Sequence, residues 1–177
     1  MVKKLFLAVV LALAAVLLYA ATRPDTFAVQ RSLRIQAAPQ KIHALINDLH
    51  QFNTWNPYDK KDTAMQGHYR GPAAGPGARY EFKGNQDVGV GSLEITASSP
   101  QQVRMQLDMR EPLAASNTIT FTLAPAPAGE GTEVTWAMQG ACPYVARLLG
   151  VFIDMDTMIG RDFEAGLAAL RLRAEQG

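Results

Sequence analysis

The stretch QVRMQLDMR, residues 102–110, decides the fold class, because apolar and polar side chains alternate along it without interruption. Successive side chains of a β-strand point to opposite sides, so the apolar set shares one face and the polar set shares the other. The pattern predicts a strand with one face on a core and one face in water, as in an antiparallel sheet.

Similar alternation before and after this stretch predicts further strands. They cover residues 27–35, 79–83, 88–97, 118–123 and 132–139. Glycine and proline residues separate them, so residues 71–77 predict a loop between two strands and residues 125–131 predict a turn. A change of phase at Gly89 or Gly91 predicts a β-bulge. We expect five or six meandering antiparallel strands after the first one.

Two segments show helical periodicity instead. Pro39 suits the first position of a helix that ends near residues 47–50, and a second short helix or turn should stop at Asn56. After Pro143, apolar residues recur every three or four positions for nearly thirty residues, which predicts one long amphipathic helix. A curved sheet and this helix can bury their apolar sides only against each other, which gives an α+β arrangement.

The N-terminal region is uncharged over residues 5–21 and follows Lys3 and Lys4. As a helix it would be roughly 25 Å long, which predicts a single membrane anchor. A cleavable signal sequence is the alternative, although Leu18 or Tyr19 stands where a small residue is required. The preceding lysines predict a cytoplasmic N-terminus and an extracytoplasmic domain, periplasmic in a bacterium, or a secreted or periplasmic domain after cleavage.

Composition narrows the function classes. The formal net charge is +1 and the basic residues are scattered, so we expect no nucleic-acid partner. Cys142 is the only cysteine, which excludes an intrachain disulfide and a thiolate metal cluster. His43, His50 and His68 lack metal-ligand spacing, and no catalytic triad is visible. We therefore expect no metal and no cofactor, and we assign no catalytic residue.

Several short motifs occur in a characteristic order. They are Phe27-x-Val29-x-Arg31-Ser32-x-x-Ile35-x-Ala37-x-Pro39, Ile46-x-Asp48, Trp55-Asn56-Pro57, Tyr69-x-Gly71, Gly75-x-Gly77, Gly89-x-Gly91 and Gly131-Thr132-x-Val134-x-Trp136-x-Met138-x-Gly140. Their order and spacing resemble the START-like superfamily, also called SRPBCC, in its polyketide cyclase/dehydrase branch. The resemblance implies a helix-grip fold, with a deep hydrophobic cavity between a curved antiparallel sheet and a long C-terminal helix. Together with the apolar N-terminal run, this resemblance predicts two parts of the chain. Residues 1–24 are an anchor or signal sequence, and residues 25–177 are a ligand-cavity domain.

The candidate cavity-lining residues share predicted inward faces or positions near the expected entrance. They are Arg31, Trp55, Tyr69, Tyr80, Phe82, Met105, Trp136, Met138, Phe152 and Asp156. Aromatic and methionine side chains suit a pliable apolar pocket. Arg31 is a charge on an inward face, which is costly unless it is paired. It therefore holds the acidic group of an amphipathic ligand, pairs with Asp156 or another carboxylate, or reaches solvent at a strand end or a bulge. Trp55 and Asn56 are candidates for a gate.

Three functions remain open at this point, because members of the superfamily include carriers, sensors and enzymes. The first is a membrane-anchored binding protein for a hydrophobic or amphipathic small molecule, lipid-like or polyketide-like. The second is a cyclase or dehydratase-like enzyme that uses the same cavity with acid–base help from an Arg, Tyr or Asp. The third is a protein-interaction module with a filled core and no pocket of at least ~300 Å³.

Overall fold

One antiparallel sheet of seven strands forms the frame of the molecule in this computed structural model, which describes residues 1–126 and 129–176. The strands are β1 Thr26–Ile35, β2 Gln66–Arg70, β3 Arg79–Lys83, β4 Val90–Ser99, β5 Gln102–Glu111, β6 Ala115–Pro125 and β7 Thr132–Ala141. Their spatial order is β1-β7-β6-β5-β4-β3-β2. The meander thus runs from β2 to β7 and returns to β1 through the β1–β7 pair.

The alternating pattern translates directly into burial. In β5, Val103 and Met105 are fully buried while Arg104 between them is exposed. The register of β4 against β5 shifts between Val90 and Gly91, so the predicted bulge is confirmed. Residues 127 and 128 of the predicted turn at 125–131, and Gly177 at the end of the predicted domain, lie outside the described residues.

The helices come before and after the meander. They are α1 Val2–Thr22, α2 Pro39–Asn47, α3 Leu49–Asn53, α4 Tyr144–Leu149 and α5 Met155–Glu175, with a 3-10 helix at Pro57–Lys60. The α+β helix-grip prediction is confirmed, since the curved sheet packs on the long C-terminal helix α5. The expectation of one unbroken helix after Pro143 is wrong.

The C-terminal helical segment is divided into α4 and α5 by a turn. Gly150 follows α4, and its backbone N–H donates to the carbonyl oxygen of Ala146. Asp154 adopts an extended conformation and caps α5, because its side chain accepts from the Thr157 backbone N–H. The apolar spacing continues through this turn, so the sequence pattern gave no sign that the helix is interrupted there.

The core lies between the sheet and α5, and buried residues of α2 and α3 contribute to it. On α5, Ile159, Phe163, Leu167 and Leu170 are buried, and the Phe163 ring stacks on Trp136 of β7 with centroids 4.3 Å apart. Large buried aromatic rings contribute most to such a core.

Helix α1 stands apart from this core, since of its 21 residues only Ala20 is buried. It is long and apolar enough to cross a membrane. By length and composition it could be a membrane anchor or a signal sequence. Its neighbour in the fold is α4.

Candidate functional site

A cavity of about 810 Å³ lies between the sheet and α5. Its apolar wall from the strands consists of Tyr80, Phe82, Leu93, Leu107, Met109, Ile119, Trp136 and Met138. The opposite wall comes from α5 and includes Met155, Met158, Ile159 and Phe163. This volume falls in the range of small-molecule sites, which begins at about 300 Å³. The core is therefore not filled.

Four of the ten candidate residues line this cavity. They are Tyr80, Phe82, Trp136 and Met138. All four lie on strands, where the alternation of side chains assigned them to the inward face. Asn56, one of the two gate candidates, also contributes to the wall.

Two other candidates lie in the solid core instead. Met105 is fully buried and does not contribute to the cavity wall. Trp55 is also fully buried, and its Nε1–H donates to the Leu45 carbonyl oxygen at 2.9 Å. The expectation of Trp55 as a gate at the entrance is therefore wrong, because its ring packs edge-on against Phe52, Phe121 and Trp136.

Tyr69 and Phe152 lie outside the cavity. Tyr69 is 41% exposed on the edge strand β2, where its ring stacks on His50 with centroids 3.7 Å apart. Phe152 is 75% exposed, because it belongs to the turn between α4 and α5 and not to the inner face of a helix. The inward position expected for Phe152 is therefore wrong, whereas Tyr69 shares the face of its strand partner Tyr80 but lies beyond the cavity wall.

Arg31 lies on the face of β1 that α5 covers, and it is fully engaged there. Its Nε–H donates to Glu164, and its Nη1 and Nη2 atoms donate to both Asp156 carboxylate oxygens, the Asp156 carbonyl and the Gln30 carbonyl. These five bonds match the five N–H groups of a guanidinium. The bonds to Asp156 and Glu164 raise the pKa of Arg31. Neither Arg31 nor Asp156 lines the cavity, and Arg31 keeps no N–H group for an acidic ligand.

Apart from Asn56, the sequence interpretation missed the polar lining of the cavity, more than half of which comes from the segment Asn53 to Lys61. The polar and charged lining residues are Asn53, Asn56, Tyr58, Asp59, Lys61, Gln86, Asp87, Asn117 and Asp162. Lys61 Nζ lies 2.7 Å from Asp162 Oδ2, so the single cation of the lining is neutralised. Asp59 and Asp87 then give the cavity a negative character.

Asp59 is the most perturbed carboxyl of this lining. Its Oδ1 atom is buried and has no hydrogen-bond partner in the described part of the chain. Burial raises its pKa from 3.8 to about 6, because the charged form loses hydration. The only signal in the sequence was its position two residues after Pro57 of the Trp55-Asn56-Pro57 motif, since a four-residue 3-10 helix shows no periodicity.

Two tyrosines of the lining remain protonated at neutral pH. Burial, followed by the nearby charge of Asp59, raises the pKa of Tyr80 to about 12. Burial and the Asp162 carboxylate raise the pKa of Tyr58 further. Both hydroxyls are therefore neutral hydrogen-bond donors and acceptors. Across residues 1–126 and 129–176, His, Cys, Asp and Glu form no group of three that could hold a metal ion.

A curved sheet that holds an apolar cavity against a long helix defines the class of helix-grip ligand-cavity proteins. Residues 26–175 match the family described as polyketide cyclase / dehydrase and lipid transport, and the chain belongs to this family. No curated protein matches the sequence.

Solved structures agree with this assignment at the level of the fold. A protein from Chromobacterium violaceum is 16% identical with a TM-score of 0.59, and the match covers 88% of this chain and 100% of that one. Ginseng major latex-like protein 151 from Panax ginseng is 13% identical with a TM-score of 0.60, covering 86% and 100%. The di-domain ARO/CYC BexL from the BE-7585A biosynthetic pathway is 14% identical with a TM-score of 0.60, covering 90% and 53%. At these identities the likeness shows the fold alone.

Proposed function

We propose that the chain is a membrane-anchored binding protein that holds a hydrophobic or amphipathic small molecule in the cavity beneath α5. The observation that carries this proposal is the 810 Å³ cavity with its largely apolar wall. Burial of apolar ligand surface stabilises a complex by roughly 25 cal/mol per Å² before the costs of association. A wall of aromatic and methionine side chains supports binding of an apolar body of variable shape.

The charges of the lining indicate which polar group such a ligand carries. Within the part of the chain that the structure describes, the carboxyls of Asp59 and Asp87 have no ion-pair partner, whereas Lys61 is held by Asp162. A carboxylate or phosphate group would therefore meet like charge in a site of low polarity, which is unfavourable. The cavity accordingly favours a neutral ligand, hydroxyl-bearing or carbonyl-bearing, over an acidic one.

Anchoring through residues 1–24 and a domain at 25–177 on the extracytoplasmic side complete the proposal. Helix α1 supports the anchor through its length and apolar composition, and Lys3 and Lys4 support the orientation. A cysteine placed at exposed Leu172 should react with an impermeant maleimide added outside intact cells. Labelling only after lysis would contradict the extracytoplasmic side.

A second candidate function is catalysis of the cyclase or dehydratase kind. The observation that favours it is the carboxyl of Asp59, whose pKa of about 6 suits proton transfer near neutral pH, in the same lining as the neutral Tyr80 hydroxyl. Turnover of a polyketide-like substrate that is lost in both Asp59→Asn and Tyr80→Phe would establish this function. Binding without any turnover would leave the carrier function alone.

Filling the cavity tests the binding proposal directly. The full chain is purified in detergent, bound small molecules are extracted into organic solvent, and their masses are compared between variants. Leu107→Trp places an indole in the lining, so it should lose a molecule that the wild type carries. Leu172→Trp, at a 57% exposed position of α5, is the matched control and should retain it. Lipids that surround α1 should be equal in all samples, and no difference between the variants would contradict the proposal.

A further inference from the structure

A second apolar surface lies beside α1. Val145, Leu149, Phe152 and Ile153 are 58%, 47%, 75% and 47% exposed, and we call them the anchor-side patch. From residue 142 to residue 153 the sequence contains a single charged residue, Arg147. Exposed apolar side chains clustered on one short segment indicate contact with an apolar partner.

Helix α4 is fixed to the C-terminal end of α1 by specific contacts. The Tyr144 hydroxyl donates to the Leu17 carbonyl oxygen at 2.9 Å. Arg147 Nη1 donates to the carbonyls of Ala21 and Arg23 at 3.4 and 3.0 Å. Carbonyls of the last turn of a helix lack partners within the helix, so Arg147 satisfies groups that would otherwise need water. The only charge of the segment is thereby directed at α1.

These contacts set the depth of the patch relative to α1. Leu17 precedes the end of α1 at Thr22 by five residues, which is about 7.5 Å along the helix axis. Helices that lie in a membrane interface bury their apolar faces roughly 5–10 Å into the boundary between headgroups and acyl chains. When α1 spans a bilayer up to its last turn, the start of α4 therefore lies in the interface between headgroups and acyl chains.

We propose that the anchor-side patch is a membrane-docking surface that inserts into the lipid interface next to α1. The proposal rests on the proposed anchoring by α1 and adds a second, independent contact with the lipid. Arg23 and Arg147 lie at the same level, where cations suit anionic headgroups. Met155 lines both the ligand cavity and a groove of about 510 Å³ between β1 and α4, so docking places the cavity close to the lipid.

Spin labelling of the full chain tests this inference. Cys142 is replaced by alanine, and single cysteines are introduced by Phe152→Cys, Leu11→Cys and Leu172→Cys. Each variant carries a nitroxide and is reconstituted into phosphatidylcholine vesicles with phosphatidylglycerol as the minor lipid. The measurement is the collision accessibility of the nitroxide to oxygen, which is enriched in lipid, relative to a water-soluble nickel chelate.

We expect the ratio of oxygen to nickel accessibility to be several-fold higher at positions 152 and 11 than at position 172. An aqueous label at 152 with a lipid-embedded label at 11 would overturn the docking surface and leave the anchor intact. An aqueous label at 11 would overturn the anchor, and the docking surface with it. Dipolar broadening at 152 that disappears on dilution with unlabelled protein would assign the patch to a second copy of the chain and overturn the inference.

Discussion

Gly160 of α5 leaves the space that the guanidinium of Arg31 occupies. A Cβ atom at position 160 would overlap Arg31 Nη2, Cζ and Nε. The same guanidinium holds Asp156 and Glu164, which lie one turn before and one turn after Gly160 on α5. The edge strand β1 and α5 are thereby fixed to each other at the surface, next to the core that both cover.

Gly160→Ala should therefore destabilise the protein. Alanine normally stabilises a helix relative to glycine by about 1 kcal/mol, but here the methyl group displaces Arg31. We expect a net loss of at most about 1 kcal/mol in the free energy of unfolding, because the guanidinium is the mobile end of a long side chain and its carboxylate partners are 61% exposed. Urea unfolding of the full chain in detergent measures it.

The double variant Arg31→Ala/Gly160→Ala is the control for this steric explanation. Without the guanidinium, the alanine at 160 should be neutral or stabilising relative to Arg31→Ala alone. An equal cost in both backgrounds would show that Gly160 is required for another reason.

Asp59→Asn should change stability in a pH-dependent way. A carboxyl whose pKa rises on folding from 3.8 to about 6 favours the folded state below pH 3.8, and this contribution is lost as the pH rises through 6. At pH 8 we expect Asp59→Asn to be more stable than the wild type by about 1 kcal/mol, since partial exposure weakens the desolvation penalty. Unfolding curves measured between pH 4 and 8 give the stability of both proteins. Their free energies of unfolding should become equal toward pH 4.

Asp87→Asn is the matched control, because it removes a carboxylate from an exposed position of the same lining. A pH-dependent gain of equal size in Asp87→Asn would mean that net charge, and not burial of Asp59, causes the effect.

The two tryptophans of the core should differ in their response to Trp→Phe. Both are at most 1% exposed, but Trp55 Nε1 bonds the Leu45 carbonyl whereas Trp136 Nε1 has no partner among the described residues. Trp55→Phe leaves a carbonyl in the last turn of α2 without its donor, so it should cost about 1–2 kcal/mol more than Trp136→Phe. Equal costs in chemical unfolding would contradict the assigned role of the Trp55 hydrogen bond.

The cavity should distinguish ligands by the charge of their polar end. At pH 8 a long-chain alcohol should displace a fluorescent apolar probe more effectively than the carboxylic acid of the same chain length, because Asp59 is then ionised. In Asp59→Asn the difference in affinity between the alcohol and the acid should decrease. Arg31→Gln should leave the affinities for the alcohol and for the acid unchanged. If that variant bound only the acid more weakly, Arg31 would be a binding group for acidic ligands.

Six of the seven strands and four residues of the cavity wall could be predicted from the sequence for one physical reason. Alternation assigns a strand residue to a face from its neighbours alone, so Tyr80, Phe82, Trp136 and Met138 followed directly from local pattern. The same parity placed Arg31 on the side that α5 covers. Its partners Asp156 and Glu164 lie 125 and 133 residues away, so only tertiary structure brings them together.

The errors also have physical causes. Phe152 continued an apolar spacing that the cap at Asp154 interrupts. Asp59 lies on a helix of four residues, too short for any periodicity, and its burial depends on elements far away in the chain. Alternation cannot distinguish a buried residue of solid core, such as Met105, from one that borders a cavity, because both point inward.

In the proposed membrane-anchored protein, the connection between α1 and the sheet would limit how far a bound ligand travels. Only Arg23, Pro24 and Asp25 separate Thr22 from the start of β1 at Thr26, and three residues extend at most ~10 Å. While the N-terminal segment stays uncleaved, the domain cannot ferry cargo to a distant membrane. In that state a released ligand would return to the same leaflet or pass to an acceptor protein at the bilayer.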